Sequence, residues 1–138
     1  FIGWETQCLG RPVINESFDQ GAIDSALEIY QQGRPLLLDR LRLDQQLALT
    51  NQANLRGYPV MASLIATPVD NVLLNEIRET FVYPSDAHLG FTLLDALLVV
   101  RYLGSCTEQA RRLFVQIWSQ LRPQVIGRAA CAPRIWAT

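Results

Sequence analysis

The sequence predicts a mainly β domain of the α+β class, on three observations. Residues 21–44 (GAIDSALEIYQQGRPLLLDRLRLD) read as two strands joined by a tight loop at Gln31-Gln32-Gly33. Residues 58–67 (YPVMASLIAT) and 89–103 (LGFTLLDALLVVRYL) are apolar runs of strand character. Helical spacing appears in only two places, after Thr67 and after Ser105, giving about two α-helices.

Taken in order, residues 1–9 alternate loosely and suit a strand. Ile2, Trp4, Thr6 and Cys8 fall on one side, Glu5 and Gln7 on the other. Gly10-Arg11-Pro12 ends the strand, and Asn15-Glu16-Ser17 is a polar connection into the hairpin. Two hairpin registers are possible. A two-residue loop would set Asp24 opposite Leu41 and Ser25 opposite Arg40. A three-residue loop with Gly33 left-handed pairs Tyr30 with Arg34, Leu27 with Leu37, Ile23 with Leu41 and Asp24 with Arg40. The opposite-charge pair selects the second register. Ile23, Leu27, Ile29, Leu37, Leu41 and Leu43 then share an apolar face, with Asp39 among them opposite Ser25. A carboxylate so placed needs a bonding partner. Residues 45–57 are polar and read as a loop with room for one helical turn.

After the strand at 58–67, Thr67-Pro68 resembles a helix start, with Thr as N-cap and Pro at the first helical position. Val69, Val72, Leu73 and Ile77 recur at helical spacing, and Pro84 stops the pattern. Residues 85–90 are a loop carrying the single histidine, His88. Residues 89–103 form one long strand or a pair, with Asp95 near the middle. Ser105 and Glu108 then match a capping box. Ala110, Leu113, Phe114, Ile117 and Leu121 make the apolar stripe of a helix that Pro123 closes, with Arg111, Arg112, Gln116 and Gln120 facing water. Trp136 has the area to anchor the tail.

The 138 residues suffice for one domain with a real core, and 1–138 are expected to form it. The start, Phe1-Ile2-Gly3-Trp4, lacks an initiator Met and is already strand-like, as though cut from something longer. A hydrophobic content of 49% and a formal charge of -1 suggest neither nucleic acid nor an anionic membrane as partner. All 12 basic residues are Arg, which favours fixed, forked contacts. A biased genome composition gives the same pattern. Cys8, Cys106 and Cys131 lie far apart with no CxxC spacing, so neither a disulfide framework nor a zinc site is indicated. A reducing cytoplasm is the simpler expectation. There is no signal peptide, and the longest apolar run, 89–103, is broken by Asp95 and Arg101.

Catalytic equipment is not visible. There is no G-x-S-x-G, any triad must pass through His88, and a phosphate loop would need a Lys that the chain lacks. What remains are carboxylates in apolar strands, Asp39 and Asp95, joined by Glu28 near the hairpin. Either each bonds an Arg or a backbone N–H, or they line a polar path suited to a weakly held cation such as nickel.

Four stretches together resemble one family. They are LEIYQQGRPLLLDRLRLD (27–44), LDALLVVRYLG (94–104), Trp118-x-x-Leu121-Arg122-Pro123 in the second helix, and the terminal PRIWAT (133–138). They look like the C-terminal half of the urease accessory protein UreD family, also called UreH. The resemblance implies a layered, β-helix-like sheet body with a pair of helices, acting as a cytoplasmic maturation chaperone and not as an enzyme. It implies binding to the urease apoprotein and to a UreF-like protein, which recruits a UreG-like GTPase. That complex would deliver nickel through an internal channel, so nickel would be in transit and no cofactor tightly bound. No catalytic residues carry over. Asp39, Asp95 and Glu28 stand as the nickel-path candidates. The alternative is a protein-interaction module without a metal role, in which Arg and aromatic side chains such as Trp118 and Tyr102 make the contacts.

Overall fold

The computed structural model describes residues 1–11, 14–18, 21–44 and 50–137. Its centre is an antiparallel sheet of β1 (Ile2–Cys8), β4 (Val60–Ala66), β6 (Leu97–Gly104) and β5 (His88–Leu94), in the order β1-β4-β6-β5. The strands β2 (Ala22–Gln31) and β3 (Arg34–Asp44) form a separate hairpin. The helices α1 (Asn71–Thr80) and α2 (Thr107–Ile126) and a 3-10 turn, Arg134–Ala137, complete the described elements. The class is the mainly β, α+β one that the sequence predicts.

Alternation along the strands makes the layers. Leu64, Leu98, Val100 and Tyr102 point to one face, where they pack with Leu74 and Ile77 of α1 and with Ala110, Phe114, Ile117 and Leu121 of α2. Ile65, Leu97 and Val99 point to the other face and meet Leu27, Ile29 and Leu37 of the hairpin. A second small cluster under the hairpin joins Leu9, Leu43 and Leu55 with Ile23, Leu41, Met61 and Leu103. Helices, sheet and hairpin are thus three successive layers.

The hairpin keeps the predicted faces but neither predicted register. Gln32 and Gly33 both have positive φ (50° and 77°) and close a two-residue turn, with Gln31 paired to Arg34. A bulge at Leu36, just after Pro35, then takes up one extra residue, so that Ile29 pairs with Leu37, Ser25 with Leu41 and Ile23 with Leu43. The net slip from the predicted register is two residues. Because side chains alternate with period two, every residue stays on its expected face. Leu27, not Ser25, stands opposite Asp39, and Arg42 stands opposite Asp24. The Asp24–Arg40 pair still forms, as a diagonal, with Nε–Oδ1 at 2.9 Å and Nη2–Oδ2 at 2.6 Å.

Several boundaries differ from expectation for local reasons. The N-cap of α1 is Asp70, whose Oδ1 accepts from Leu73 N–H at 2.8 Å. Thr67-Pro68 instead precede a turn in which Val69 donates to Ala96 O and is itself buried. Val72, expected on the buried stripe, is exposed: five residues before buried Ile77, it lies about 140° around the helix from it. Residues 89–103 resolve as the pair β5 and β6, and Asp95 sits in their exposed two-residue turn with φ 52°. His88 opens β5, and is not in the preceding loop. The capping box is absent. Cys106 is the N-cap of α2 and makes no side-chain cap bond, while Glu108 pairs with Arg111 at 2.7 Å. The helix runs through Pro123 to a left-handed Gly127, whose N–H donates to Pro123 O. Of the predicted loop at 45–57, residues 45–49 lie outside the described residues, as does Pro12.

The predicted anchoring of the tail is present. The Trp136 ring lies 5.1 Å from Trp118 and 5.3 Å from Trp4 between ring centroids, and Arg122 sits 5.1 Å over Trp118.

Candidate functional site

A cleft of about 470 Å³ lies between the hairpin and the central sheet. β3 contributes Asp39, β4 Ser63, β5 His88 and Gly90, and β6 Arg101, while the 52–56 turn brings Arg56. That turn is held by Asn51, which accepts from Ala53 N–H through Oδ1 at 2.9 Å and from Asn54 and Arg56 N–H through its carbonyl. Buried Leu55 pins the turn to the apolar cluster under the hairpin, while Arg56 stays exposed among the residues that line the cleft.

Arg101 lies between Ser63 and Gly90 in the sheet register. With no side chain on Gly90, the guanidinium is free to reach across, and its Nη2 meets Asp39 Oδ2 at 2.6 Å. Asp39 is therefore bonded, as a carboxylate on an apolar face must be. The pair is not sealed: the side chains are 48% and 38% exposed, so the cleft holds it within reach of water. His88 is exposed and packs edge-on against Tyr58, with centroids 5.4 Å apart. Beneath the sheet, burial pushes the Tyr102 phenol above its usual range, and its O–H donates to Cys106 O and Gln109 Oε1. Gly104 is required there, since a Cβ would collide with the Tyr102 hydroxyl. The Arg-Tyr-Leu-Gly run thus splits its work between the two faces.

The three carboxylates named from sequence are not brought together. Asp39 is in the cleft. Glu28 points to the opposite face of the hairpin and accepts from Tyr30 O–H at 3.2 Å. Asp95 is in the exposed β5–β6 turn. Among the described residues no group of three or more His, Cys, Asp or Glu is placed to hold a metal ion. Also among them, no helix is long and apolar enough to cross a membrane.

Arg101, Arg56 and Ser63 were not singled out as site residues by sequence reasoning. A signal for Arg101 did exist. It is the only charge in the strand LLVVRYLG, as Asp39 is the only acid on the inward face of β3, and two lone opposite charges in facing layers seek each other.

The UreD urease accessory protein family matches residues 1–137. Among curated relatives, the urease accessory protein UreD of Pseudomonas entomophila is 44% identical over 99% of this chain and 48% of its own length. That of Alcanivorax borkumensis is 40% identical over 100% of this chain and 47% of its own, and that of Citrobacter koseri 34% identical over 99% and 46%. The chain spans about half the length of these relatives. On a match of this extent, the chain belongs to the UreD urease accessory protein family.

Proposed function

We propose that this chain serves in urease maturation as a non-catalytic scaffold, in a complex with the urease apoprotein, a UreF-like protein and, through it, a UreG-like GTPase. The complex helps deliver nickel to the urease active site, and the reaction chemistry belongs to the partners. The observation that carries the reading is the family match over residues 1–137, with relatives named as urease accessory proteins. Nickel is cargo in this reading. Asp39, Glu28 and Asp95 lie on separate parts of the surface, so each would act on nickel together with groups from a partner.

The experiment is co-expression with the UreF-like protein and urease apoprotein, followed by pull-down and assay of urease activation. Wild type is expected to co-purify with both. Asp39→Ala and Asp95→Ala are expected to lower activation while leaving the pull-down intact. Failure to bind either partner ends the scaffold reading. Intact activation in both variants ends the part assigned to the carboxylates.

A second reading, a protein-interaction module with no metal role, is favoured by one specific arrangement. Arg101 already occupies Asp39, and Val82 and Tyr83 just beyond α1 leave apolar surface exposed. Activation that depends on this chain but not on nickel passing through its complex would select it.

A further inference from the structure

The charge of the cleft runs against its use by a cation. Its lining carries two guanidinium groups, of Arg56 and Arg101, and one carboxylate, of Asp39. Arg40 also borders it, but its side chain points to the outer face of the hairpin, where Asp24 holds the guanidinium through two bonds. Arg101 spends one nitrogen, Nη2, on Asp39, so Nε and Nη1 have no acceptor among the described residues. Arg56 donates only from Nε, to Gln52 O at 3.2 Å, and makes no ion pair among the described residues. One positive charge is therefore left uncompensated in a lining that also includes His88.

We propose that this cleft is a binding site for a small carboxylate or phosphate anion, gripped between Arg56 and the unused nitrogens of Arg101. Guanidinium groups match the planar, paired oxygens of a carboxylate and the oxygens of a phosphate, so the donors fit the ligand class. A volume of about 470 Å³ falls inside the span of small-ligand sites. The Ser63 hydroxyl lies in the floor. It is the one buried polar residue among those described, and no protein hydrogen bond is recorded for it. Since no buried side-chain polar atom lacks a partner, its oxygen must still touch solvent, and it is available to an entering ligand. Asp39 acts as the resident competitor: it occupies Arg101 until an anion shares or replaces it. The inference does not rest on the scaffold reading, and it competes with the nickel role proposed there for Asp39, since the ligand has the opposite charge to nickel.

The test is calorimetric titration of the 138-residue chain at low salt with citrate and, separately, with inorganic phosphate. Saturable binding near about 1 mM is expected for at least one anion, weakening as salt rises. Citrate alone would identify a carboxylate ligand, phosphate alone a phosphate, and either supports the site. Arg56→Gln and Arg101→Gln should each weaken binding roughly fivefold to tenfold, the scale of a lost charge-assisted contact. Arg128→Gln, on the exposed tail, should leave it unchanged. Asp39→Asn should tighten binding a few-fold, a sign that a merely structural role would not give. If Arg101→Gln does not fold, Arg56→Gln on the outer turn still decides. The proposal is overturned if neither anion saturates by about 20 mM, if Asp39→Asn weakens binding, or if Arg128→Gln costs as much as Arg56→Gln. It is also overturned if nickel chloride saturates the cleft in an Asp39-dependent way while the anions do not.

Discussion

The two faces of the central sheet are built to different standards. On the helix face one continuous apolar cluster runs from Val60 to Leu121, and Leu64, Leu98, Val100 and Phe114 are fully buried. On the hairpin face two small clusters are separated by a polar row, Glu5, Ser63, Arg101 and Gly90, which lie side by side across the four strands. β6 shows both in a single run. Tyr102 is 2% exposed beneath the sheet, while the neighbouring Arg101 side chain is 48% exposed above it. A close-packed face leaves no place for a charge without a full set of partners. An incompletely covered face can hold one beside water. Stability and recognition have been assigned to opposite sides of one sheet, and both the anion cleft and the Asp39–Arg101 pair follow from the looser side.

Deep truncations are the strongest way to break that contrast. Phe114→Ala, in the middle of the helix face, should cost about 3–5 kcal/mol in urea denaturation, because the cavity is walled by both helices and the sheet. A loss below about 1 kcal/mol would show that the helix face is not where stability resides. Leu37→Ala, under the hairpin, should cost about 2 kcal/mol, the low end for such a change, since its cluster is small and open enough to relax. Hydrogen exchange separates the two variants more sharply than the totals do. After Leu37→Ala the β2–β3 amides should lose protection while β4 and β6 keep theirs; after Phe114→Ala all strands should lose it together. Uniform loss in both variants would mean that the sheet has no two-sided division of labour.

The helix face was also the more legible from sequence. The stripe Ala110, Leu113, Phe114, Ile117 and Leu121 buries as its spacing requires, with Trp118 widening it. Alternation gave the hairpin faces correctly because a two-residue slip does not change them. Register itself was not legible. It was fixed by a bulge at Leu36 that no propensity announces, and one bidentate ion pair proved compatible with a diagonal as well as with direct opposition. Helix ends failed where two capping residues competed: Asp70 over Thr67, Gly127 over Pro123. The cleft was half visible. Asp39 stood out as an acid on an apolar face, but its partner is 62 residues away, and the one signal for it, Arg101 as the lone charge of an apolar strand, can be used only once the two strands are known to face each other.

The smallest effect sharpens the comparison from the outermost surface. Hydrogen bonding from Arg40 holds the Asp24 carboxyl below its ordinary value of 3.8, against an opposing effect of burial and with the charges of Arg40 and Arg42 assisting. Its folded pKa is thus lower than its unfolded one, so near the carboxylate range the unfolded chain binds more protons. The contribution of the pair is present above the unfolded pKa and is lost as pH falls through the folded one. Asp24→Asn should therefore lower stability slightly at about pH 6, and the difference from wild type should shrink as pH falls below the ordinary carboxylate range and vanish once Asp24 is protonated in both states. Added salt should shrink it at any pH, since the pair is exposed. A difference that survives acid unchanged would mean that Asp24 acts through strand packing and not through its charge. The outer face of the hairpin would then belong with the packed side of the molecule, and the line drawn here between the two kinds of surface would have to move.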